Sequence, residues 1–392
     1  MNILLVTSDL SLGGAQQVVI NLANELVRQN HNVWIFDIEP QIRSKGMIER
    51  LDEKAHLISK DYNNIKLSFY EKVLDFILLK LKIKTNNSKI LFQKHEKNLK
   101  KVISENKISY VNSHVCWADF YVLQKIKPLH KNWIITLHAS YNALLENKDN
   151  ISKYGHLTKN TIIAASKIIH IHDEGLNFLE KVLQIKINKS KKILNGIPQQ
   201  TINPKIKRSK FGINKKDFVI LCASRAIKSK GWYELAKAVA ETMDPRVKLL
   251  FAGDGEILKD IKDAYSEYKS KIKFLGFQKD IHSLIHLSDL VCLPSQTEAL
   301  PTILLESIFC NKLTLATNVG EIANILENNN GKCGILLDHI KGKKLVEELK
   351  LKISFLLNSD IPQSKEPFET AKEIFSIKQM IDNYSNYFKS NA

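Results

Sequence analysis

The chain has 392 residues, of which 44% are hydrophobic, and it contains 15 glycines and 9 prolines. This composition excludes collagen-like, mucin-like and broadly disordered chains, and the length suits two α/β domains with a ligand cleft between them. The formal net charge is +17, but no basic, aromatic or zinc pattern of a nucleic-acid-binding module accompanies it. We therefore expect no nucleic-acid partner.

The five cysteines are scattered singly along the chain, without the paired spacing of a zinc site. The apolar runs are too short or too interrupted to span a bilayer, and the first residues lack the charged region and cleavage site of a signal peptide. These features predict a cytoplasmic protein in a reducing compartment.

Short β-rich runs alternate with helical patterns in the first half of the chain, which predicts a parallel sheet with helices on both faces. The predicted strands are 3–7, 33–38, 108–112, 133–137, 168–172 and 192–194. Gly13 and Gly14 lie in the turn after the first strand, where the backbone can approach a bound group closely. The turn lacks the GxGxxG pattern, so NAD binding is the poorer interpretation.

The first half also carries most of the positive charge. Residues 1–200 hold 29 lysines and arginines against 18 acidic residues, and residues 80–101 hold eight lysines and one acidic residue. This lysine-rich run follows the apolar run 69–79, a combination typical of a surface that contacts anionic lipid. A solvated helix of lysine-rich composition explains the pattern equally well. Both interpretations of segment 64–101 stay open.

A polar stretch predicts a linker at 199–217, between a first domain, 1–198, and a second domain, 218–366. The helical pattern in segment 367–392 either caps the second domain or crosses back to the first. The predicted strands of the second domain are 218–223, 247–252, 271–275, 290–293, 313–316 and 335–337.

Charged residues and glycines follow the first strands of the second domain, at the edge where parallel α/β sheets place their ligands. Arg225 and Lys230 bracket the first of these loops and can neutralise the charge that grows on a departing nucleoside diphosphate. Lys228 is the alternative cation. Gly253 lies in the turn after the next strand, and we expect Asp254 beside it to cap a helix.

A helix start is predicted further along the chain, at Pro301. Proline suits the first helical position because its missing N–H would be unpaired there anyway. The amides of Thr302, Ile303 and Leu304 would then be free to bind a diphosphate.

Two carboxylates flank this helix start. Glu298 precedes it and Glu306 lies inside the helix, so one acid can reach a sugar ring and the other a ribose. We interpret the segment 294–306 as a nucleotide-sugar-binding site.

Taken together, these motifs resemble those of the retaining GT-B glycosyltransferases of family 4, the glycosyl transferases group 1. The resemblance covers nearly the whole chain and is weakest at about residues 40–105. It rests on Gly13-Gly14, Asn195-Gly196-Ile197-Pro198, Ser224-Arg225, Lys230-Gly231, Gly253-Asp254-Gly255, Phe274-Leu275-Gly276-Phe277, and Pro294-Ser295 leading into Glu298 and Glu306. It implies the GT-B fold, in which two Rossmann-like, doubly wound domains face a central cleft.

The resemblance also implies roles for individual residues. Glu298 would bind the donor-sugar hydroxyls, and Glu306 would bind the ribose hydroxyls. Arg225 and Lys230 would hold the diphosphate, and the Gly13-Gly14 turn would close over it from the other domain.

Other residues complete the predicted site. The backbone around Phe277 would flank the base, and the remaining donor-binding residues would be Gly253, Ala299, Leu300, Pro301 and Thr302. His138 follows the strand 133–137 and matches the histidine that faces the donor sugar in this family. The predicted catalytic residues are therefore Glu298, His138, Arg225 and Lys230. His114, at the end of another strand, is a candidate on the acceptor side.

The sequence thus predicts transfer of a hexosyl or N-acetylhexosaminyl group, with retention, from a UDP- or GDP-sugar to a hydroxyl of a glycan or lipid-linked acceptor. We expect a role in envelope polysaccharide synthesis, such as that of lipopolysaccharide or capsule. Ala299 stands where this family usually has glycine, which leaves the donor open. The location would be the cytoplasm, either free or peripheral on the inner face of the membrane.

We expect no metal or other cofactor, because the chain has no DxD motif and Arg225, Lys230 and the helix start can take the part of a divalent cation. Two alternatives stay open. One is a sugar-nucleotide epimerase of the same fold, and the other is a basic peripheral-membrane protein without catalysis.

Overall fold

The computed structural model describes residues 1–11, 13–62, 87–138, 140–199, 203, 205–328, 331–358 and 366–390. The apolar run 69–79 and the first part of the lysine-rich run lie outside these residues. The chain divides into two compact units, of which the first comprises Met1–Ile193 with Ile381–Ala392 and the second comprises Leu194–Met380. Residues predicted to form a linker after 198 therefore belong to the second unit.

The first unit is built on a parallel sheet, which has seven strands within the described residues, in the order β3-β2-β1-β4-β5-β6-β7. Its strands β1 to β7 are Asn2–Thr7, Asn32–Asp37, His56–Leu57, Tyr110–His114, Trp133–Leu137, Lys167–His170 and Ser190–Lys192. Strands β1, β2 and β5 are nearly continuous apolar runs because helices cover both faces of the sheet, whereas β4 between them buries the polar residues Asn112, Ser113 and His114.

Helices α1 to α7 of this unit are Gly14–Arg28, Lys45–Ile48, Asn87–Glu105, Cys116–Tyr121, Ser140–Leu144, Lys148–Ala164 and Asp173–Leu183. Helix α1 packs on the sheet through a buried stripe that includes Val18, Leu22 and Leu26, at the spacing of successive helical turns. A π-helical turn, Val122–Ile126, continues α4.

The second unit contains a parallel sheet of six strands within the described residues, in the order β10-β9-β8-β11-β12-β15. A separate antiparallel pair is formed by β13 and β14. Strands β8 to β15 are Phe218–Ala223, Val247–Ala252, Ile272–Phe274, Leu290–Leu293, Leu313–Thr317, Glu327–Asn328, Gly331–Lys332 and Gly334–Leu337. Stacked rings of Trp232 and Phe251, with centroids 4.4 Å apart, lie in its core.

Helices α8 to α15 are Trp232–Glu241, Leu258–Ala264, Ile281–Leu287, Thr302–Phe309, Ile322–Leu326, Lys343–Asn358, Glu366–Ile374 and Ile377–Lys389. The residues of α15 from Ile381 onward pack in the first unit. Tyr384 is fully buried there with its hydroxyl 3.4 Å from Thr136 Oγ1, and Phe388 stacks on Tyr110 at 5.4 Å.

The prediction of two doubly wound, parallel-sheet domains is confirmed. The structure adds β3, β13 and β14, each only two residues long and therefore without a detectable alternation of apolar residues. It also extends β4 to His114, whereas the apolar pattern predicted an end at Asn112, because polar Ser113 and His114 are fully buried. Among the described residues, no helix combines the length and the apolar content that crossing a bilayer requires.

Candidate active site

The predicted donor residues of the second unit lie where the strand order of its sheet reverses. Strand β8 pairs with β9 on one side and with β11 on the other. Ligands of open α/β sheets bind outside the carboxyl ends of the strands at such a switch point. The loop after β8 carries Arg225 and Lys230, and the loop after β11 carries Glu298.

Lys230 and Glu298 form an ion pair across this switch point. Lys230 Nζ lies 2.6 Å from Glu298 Oε1, and the two side chains are 14% and 12% exposed. The amide of Gln296 donates to the carbonyl of Ser229 at 2.8 Å, so the backbones of the two loops are joined as well. A cation and a carboxylate are therefore held together at the edge of the sheet where a ligand is expected.

Glycines let these loops pack closely. Gly231 has φ +68°, and a Cβ added to it would lie 2.1 Å from the carbonyl oxygen of Pro294. Gly253 has φ +152°, and its Cβ would lie 1.9 Å from the carbonyl oxygen of Ser224. Loop packing within the unit therefore accounts for both glycines, and the donor-binding role of Gly253 stays a prediction.

The start of α11 differs by one residue from the prediction. Pro301 has φ −71° and ψ 119° and occupies the N-cap, so the prediction that it takes the first helical position is wrong. The extended ψ that Pro301 adopts leaves Thr302 as the first helical residue. The amide of Leu304 donates to the carbonyl of Pro301 at 3.2 Å and is not free, contrary to the prediction.

The amides of Thr302 and Ile303 are the ones that are available for an anion. Among the described residues, neither has a hydrogen-bond acceptor. The amino end of a helix carries a partial positive charge, which favours a phosphate group there. Ala299 and Leu300 belong to the loop that leads into this helix start, and the carbonyl of Ala299 accepts from the amide of Glu321 at 2.8 Å.

Glu306 lies one turn further along α11. Its Oε1 is 3.7 Å from Nε2 of His282, and the two side chains are 15% and 25% exposed. Within the part of the chain that the structure describes, His282 Nε2 is buried without a hydrogen-bond partner. The sequence alone does not point to His282, because one histidine at the start of a short helix carries no motif.

Arg225 and Phe277 are exposed at the same edge of the sheet. The guanidinium of Arg225 has no ion pair among the described residues, and the side chain of Phe277, in the loop after β10, is 44% exposed. The expected cap at Asp254 is wrong, because its Oδ1 accepts from the adjacent Gly255 amide while α9 begins only at Leu258. The N-cap of α9 is Ile257, and no side chain caps this helix within the described residues.

In the first unit, Asp9 organises the turn that contains the predicted glycines. Its Oδ1 accepts from the Ser11 amide at 2.9 Å and from Gln16 Nε2 at 3.0 Å, and its Oδ2 accepts from Ser8 Oγ at 2.7 Å. Burial raises the pKa of Asp9, but the hydrogen bonds from Ser11, Ser8 and Gln16 outweigh burial and lower it. The carboxylate form therefore stabilises this turn.

Gly13 and Gly14 adopt backbone conformations that do not require glycine. Gly13 is extended, with φ −177°, and serves as the N-cap of α1. A Cβ added to Gly14 would meet no atom of the described residues within 4 Å. Packing within the unit therefore does not explain Gly14, and its predicted approach to a ligand stays open to test.

His138 and His114 form a pair at the carboxyl ends of β5 and β4. His114 Nδ1 lies 2.9 Å from His138 Nε2, and the rings are nearly parallel with centroids 5.2 Å apart. Burial lowers the pKa of His138 to about 4, and burial together with His138 lowers the pKa of His114 well below its usual value. Both imidazoles are therefore neutral at pH 7, and one donates to the other.

The two strands that end at these histidines also take part in a buried polar network. The carboxylate of Asp119 accepts from Ser113 Oγ at 2.5 Å and from Tyr141 OH at 2.9 Å, and Trp133 Nε1 donates to Ser113 Oγ at 2.8 Å. Burial raises the pKa of Asp119 to about 7, although the two hydroxyl donors lower it. The network fixes α4 and α5 against β4 and β5.

Within the residues that the structure describes, no group of three or more histidine, cysteine, aspartate or glutamate side chains is placed to hold a metal ion.

Comparison with known proteins relates part of the chain to a known family and the whole chain to a known fold. Residues 204–373 match the family model described as glycosyl transferases group 1. Over its whole length the chain superposes on the crystal structure of HepE from Anabaena in complex with UDP and glucose, with a TM-score of 0.73 and 18% identity, covering 100% of both chains. That similarity defines the fold as GT-B.

Two curated relatives are named as glycosyltransferases. An uncharacterised glycosyltransferase of Haemophilus influenzae is 23% identical over 357 residues, which is 88% of both chains. The UDP-Gal:α-D-GlcNAc-diphosphoundecaprenol α-1,3-galactosyltransferase of Escherichia coli is 28% identical over 154 residues. That second match spans 36% of this chain and 40% of the relative, so it covers less than half of either.

The predicted resemblance to the group 1 glycosyltransferases is therefore confirmed for residues 204–373, and the enzyme class that it implies stays a proposal. Of the predicted donor residues, the structure brings Lys230 and Glu298 into contact and places Arg225 and Glu306 on neighbouring elements of the same unit. Their roles toward a ligand stay predictions, as does the role of His138 toward the donor sugar.

Proposed function

We propose that the chain is a retaining glycosyltransferase that transfers a sugar from a UDP- or GDP-sugar to a hydroxyl of a glycan or lipid-linked acceptor. The observation that carries this proposal is the Lys230–Glu298 pair at the switch point of the second sheet, directly before the start of α11. One sheet edge thus holds a cation, a carboxylate and two free helix amides. These are the groups that a nucleoside diphosphate sugar needs for its phosphates and hydroxyls.

In the proposed reaction, the amides of Thr302 and Ile303 bind the diphosphate together with Lys230 and Arg225. Negative charge on the leaving diphosphate increases as its bond to the anomeric carbon breaks, and these fixed positive groups stabilise it. The acceptor oxygen forms its new bond on the same face of the sugar, and its proton passes to the departing diphosphate. Because protein groups supply the positive charge, we expect no requirement for a divalent metal.

Donor binding is tested by thermal unfolding with UDP and with GDP, since a ligand that binds the native state raises its stability. Transfer is then measured with UDP- and GDP-sugars, lipid-linked acceptors and EDTA, and the anomer of the product is read by NMR. The proposal predicts a rise in melting temperature with one nucleotide and EDTA-resistant transfer with retention. A chain that neither binds a nucleotide nor releases one in the presence of acceptors would contradict it, and isotope exchange at sugar C2 without acceptor would indicate an epimerase.

We further propose that the acceptor is lipid-linked and that the enzyme works in envelope polysaccharide synthesis at the inner face of the cytoplasmic membrane. The Escherichia coli relative is named for a diphosphoundecaprenol acceptor, which is a lipid-linked sugar. Helix α3 supports a membrane location, because a groove on its surface is lined by Lys94, Lys97, Lys100 and Lys101 beside the half-exposed Leu129.

Replacing three of these lysines tests the membrane proposal. The triple variant Lys97→Gln, Lys100→Gln, Lys101→Gln should lose on the order of 100-fold in affinity for phosphatidylglycerol vesicles, since each lysine near an anionic surface contributes about 1 kcal/mol. Nucleotide binding should not change. Vesicle sedimentation measures the first quantity and thermal shift with UDP the second.

The matched control removes the same charge from the second unit. Lys259, Lys262 and Lys269 are all exposed there, and their replacement by glutamine should leave vesicle binding near the wild-type level. Equal losses in both triple variants would mean that net charge alone attracts the protein. No loss in either would favour the solvated-helix interpretation of the lysine-rich run.

A further inference from the structure

Trp117 differs from the other tryptophans of the chain in its exposure. The chain has four tryptophans. Trp34, Trp133 and Trp232 are buried, whereas Trp117 is 50% exposed. Trp133 and Trp232 also donate their indole N–H to serine hydroxyls, whereas among the described residues the N–H of Trp117 has no acceptor. Trp117 thus presents both an apolar ring and a polar N–H to its surroundings.

The indole of Trp117 is held by two aromatic neighbours. Phe120 contacts it edge to face at 5.6 Å and 84°, and Tyr154 of α6 does so at 5.8 Å and 89°. Phe120 is buried and in turn packs edge to face on Tyr141 at 6.0 Å. The exposed ring is therefore positioned by the core and loses little conformational freedom when a ligand binds to it.

The position of Trp117 is that of a ligand-binding residue in a doubly wound sheet. Strand β1 pairs with β2 on one side and β4 on the other, so the switch point of the first sheet lies between β1 and β4. Trp117 comes three residues after His114, the last residue of β4, and thus lies at the carboxyl edge beside that switch point. The Gly13-Gly14 turn follows β1 at the same edge.

The backbone between β4 and Trp117 is strained. Val115 has φ +70° and ψ 149°, a conformation that a β-branched residue adopts rarely and at an energetic cost. The strain lies in the one residue that turns the chain from β4 into α4, which bears Trp117. Strain of this kind is concentrated at ligand-binding positions.

We propose that Trp117 is a saccharide-binding residue that stacks on a pyranose ring of the acceptor. A pyranose has a face of C–H groups that suits an indole ring and a rim of hydroxyls that suits the indole N–H. The inference rests on the proposed function, and it names the part of the acceptor that the first unit binds. Trp117 is a single fixed ring rather than a broad apolar patch, which matches one sugar ring better than a protein partner.

The fluorescence of the chain offers a direct test, because Trp117 is the tryptophan that a soluble quencher can reach. Acrylamide quenching is measured with and without methyl glycosides of α-D-glucose, α-D-galactose and N-acetyl-α-D-glucosamine, with the acyclic polyol sorbitol as control. We expect one glycoside to lower the quenching constant at least twofold and sorbitol to leave it unchanged. Acrylamide should quench the fluorescence of the Trp117→Phe variant only weakly under all conditions.

Kinetics with a lipid-linked acceptor give the second readout. Trp117→Ala should raise the KM for the acceptor roughly tenfold, whereas Trp117→Phe should retain most of the affinity because it keeps an aromatic face. Ile163→Ala is the matched control, since this residue is 57% exposed at the opposite end of α6. It should leave the acceptor KM unchanged, and all three variants should keep the wild-type thermal shift with UDP.

Three results would overturn the proposal. These are quenching that no glycoside changes, an acceptor KM that Trp117→Ala leaves unaltered, and a blue shift of Trp117 emission with phosphatidylglycerol vesicles alone, which would make it a membrane contact. The shift in melting temperature with UDP and with GDP distinguishes failure of this proposal from failure of the proposed function. A chain that binds either nucleotide but fails these tests contradicts only the role of Trp117, and a chain that binds neither contradicts the transferase.

Discussion

Glu306 is the single residue whose removal should affect donor binding most directly. Its carboxylate is 15% exposed and lies 3.7 Å from His282, beyond hydrogen-bonding distance, so it can accept from a ribose hydroxyl. Glu306→Ala should weaken binding of the nucleotide by roughly 1.5–3 kcal/mol, or about 10- to 100-fold, because a hydroxyl loses a charged acceptor. Isothermal titration with UDP and GDP measures the change.

Glu256→Ala is the control for Glu306. Glu256 is an exposed carboxylate in the turn after β9 of the same unit, so its removal changes the charge equally without touching α11. The Glu256→Ala variant should bind the nucleotide with the affinity of the wild type. Unchanged affinity in Glu306→Ala would instead remove Glu306 from the donor site.

Single residues also show what could be predicted from the sequence. The place of Lys230 followed from the rule that ligands bind at the carboxyl ends of parallel strands, but its ion pair with Glu298 was not predicted. Asp9 and His282 could not be predicted, because each acts through contacts with residues whose positions only the fold determines. The His114–His138 contact was not predicted either, although both residues were candidates, since sequence spacing does not give the distance between two rings.

At the scale of elements, the start of α11 makes the most specific prediction. Thr302 is the first helical residue, a position that tolerates proline. Thr302→Pro should therefore preserve the helix while it removes the amide that is proposed to bind the diphosphate. The extended backbone of Pro301 is compatible with a following proline. We expect the variant to fold and to bind UDP about tenfold more weakly, since hydrogen bonds to charged groups contribute roughly 1.5–3 kcal/mol.

Thr302→Ala separates the amide from the side chain. It removes the hydroxyl but keeps the N–H, so its UDP affinity should stay close to that of the wild type. Equal weakening in both variants would show that the threonine hydroxyl binds the ligand. Wild-type affinity in Thr302→Pro would mean that the phosphates do not lie at the helix start.

The network that fixes α4 and α5 should make stability depend on pH. Burial raises the pKa of Asp119 to about 7 in the folded chain, against about 3.9 in an unfolded one. The folded state then holds a proton that unfolding releases, so the stability contribution is full below about pH 4 and is lost as the pH rises toward 7. Asp119→Asn should remove this slope between about pH 4 and 7.

Melting temperatures of the wild type and of Asp119→Asn, compared pH by pH, measure this effect. Subtracting one profile from the other removes the contribution of all other titrating groups. Parallel profiles would show that Asp119 is ionised in the folded state throughout this range. The variant keeps a side chain of the same shape, so its fold can be checked by circular dichroism before the titration.

The ends of the helices and strands show how far secondary structure could be predicted from the sequence. Most strands were predicted within two residues because each is a short apolar run between polar turns, as in Phe218–Ala223 and Val247–Ala252. The start of α11 was misplaced by one residue because proline is compatible both with the N-cap and with the first helical position. The strand end at His114 was missed because polar residues that are buried by tertiary packing leave no apolar pattern.

For the molecule as a whole, the end of α15 should control the stability of the first unit. Tyr384 is fully buried, and the ammonium of Lys167 donates to the carbonyls of Tyr387 and Phe388 at 2.7 and 3.2 Å. Tyr384→Ala should therefore destabilise this unit by roughly 3 kcal/mol or more, as loss of a large buried ring does. Hydrogen exchange of the amides of β5 should accelerate accordingly.

The second unit provides the internal control for this variant. Amides of β11 belong to a sheet that contains no residue of the segment beyond Ile381, so their exchange should keep the wild-type rate. Tyr384→Phe retains the ring, so the hydrogen-exchange rates of its β5 amides should stay close to those of the wild type. If β5 were unaffected in Tyr384→Ala, packing of this segment would contribute little to the first unit.

The division of the first unit into two stretches of chain has a consequence for synthesis in the cell. Residues 1–193 leave the ribosome first, but the residues that cover Tyr110 and Thr136 emerge only after the whole second unit. At typical elongation rates this interval lasts on the order of 10 to 40 seconds. The nascent sheet is incomplete during that time, so a polypeptide that stops before Ile381 leaves an apolar surface that chaperones and proteases can recognise.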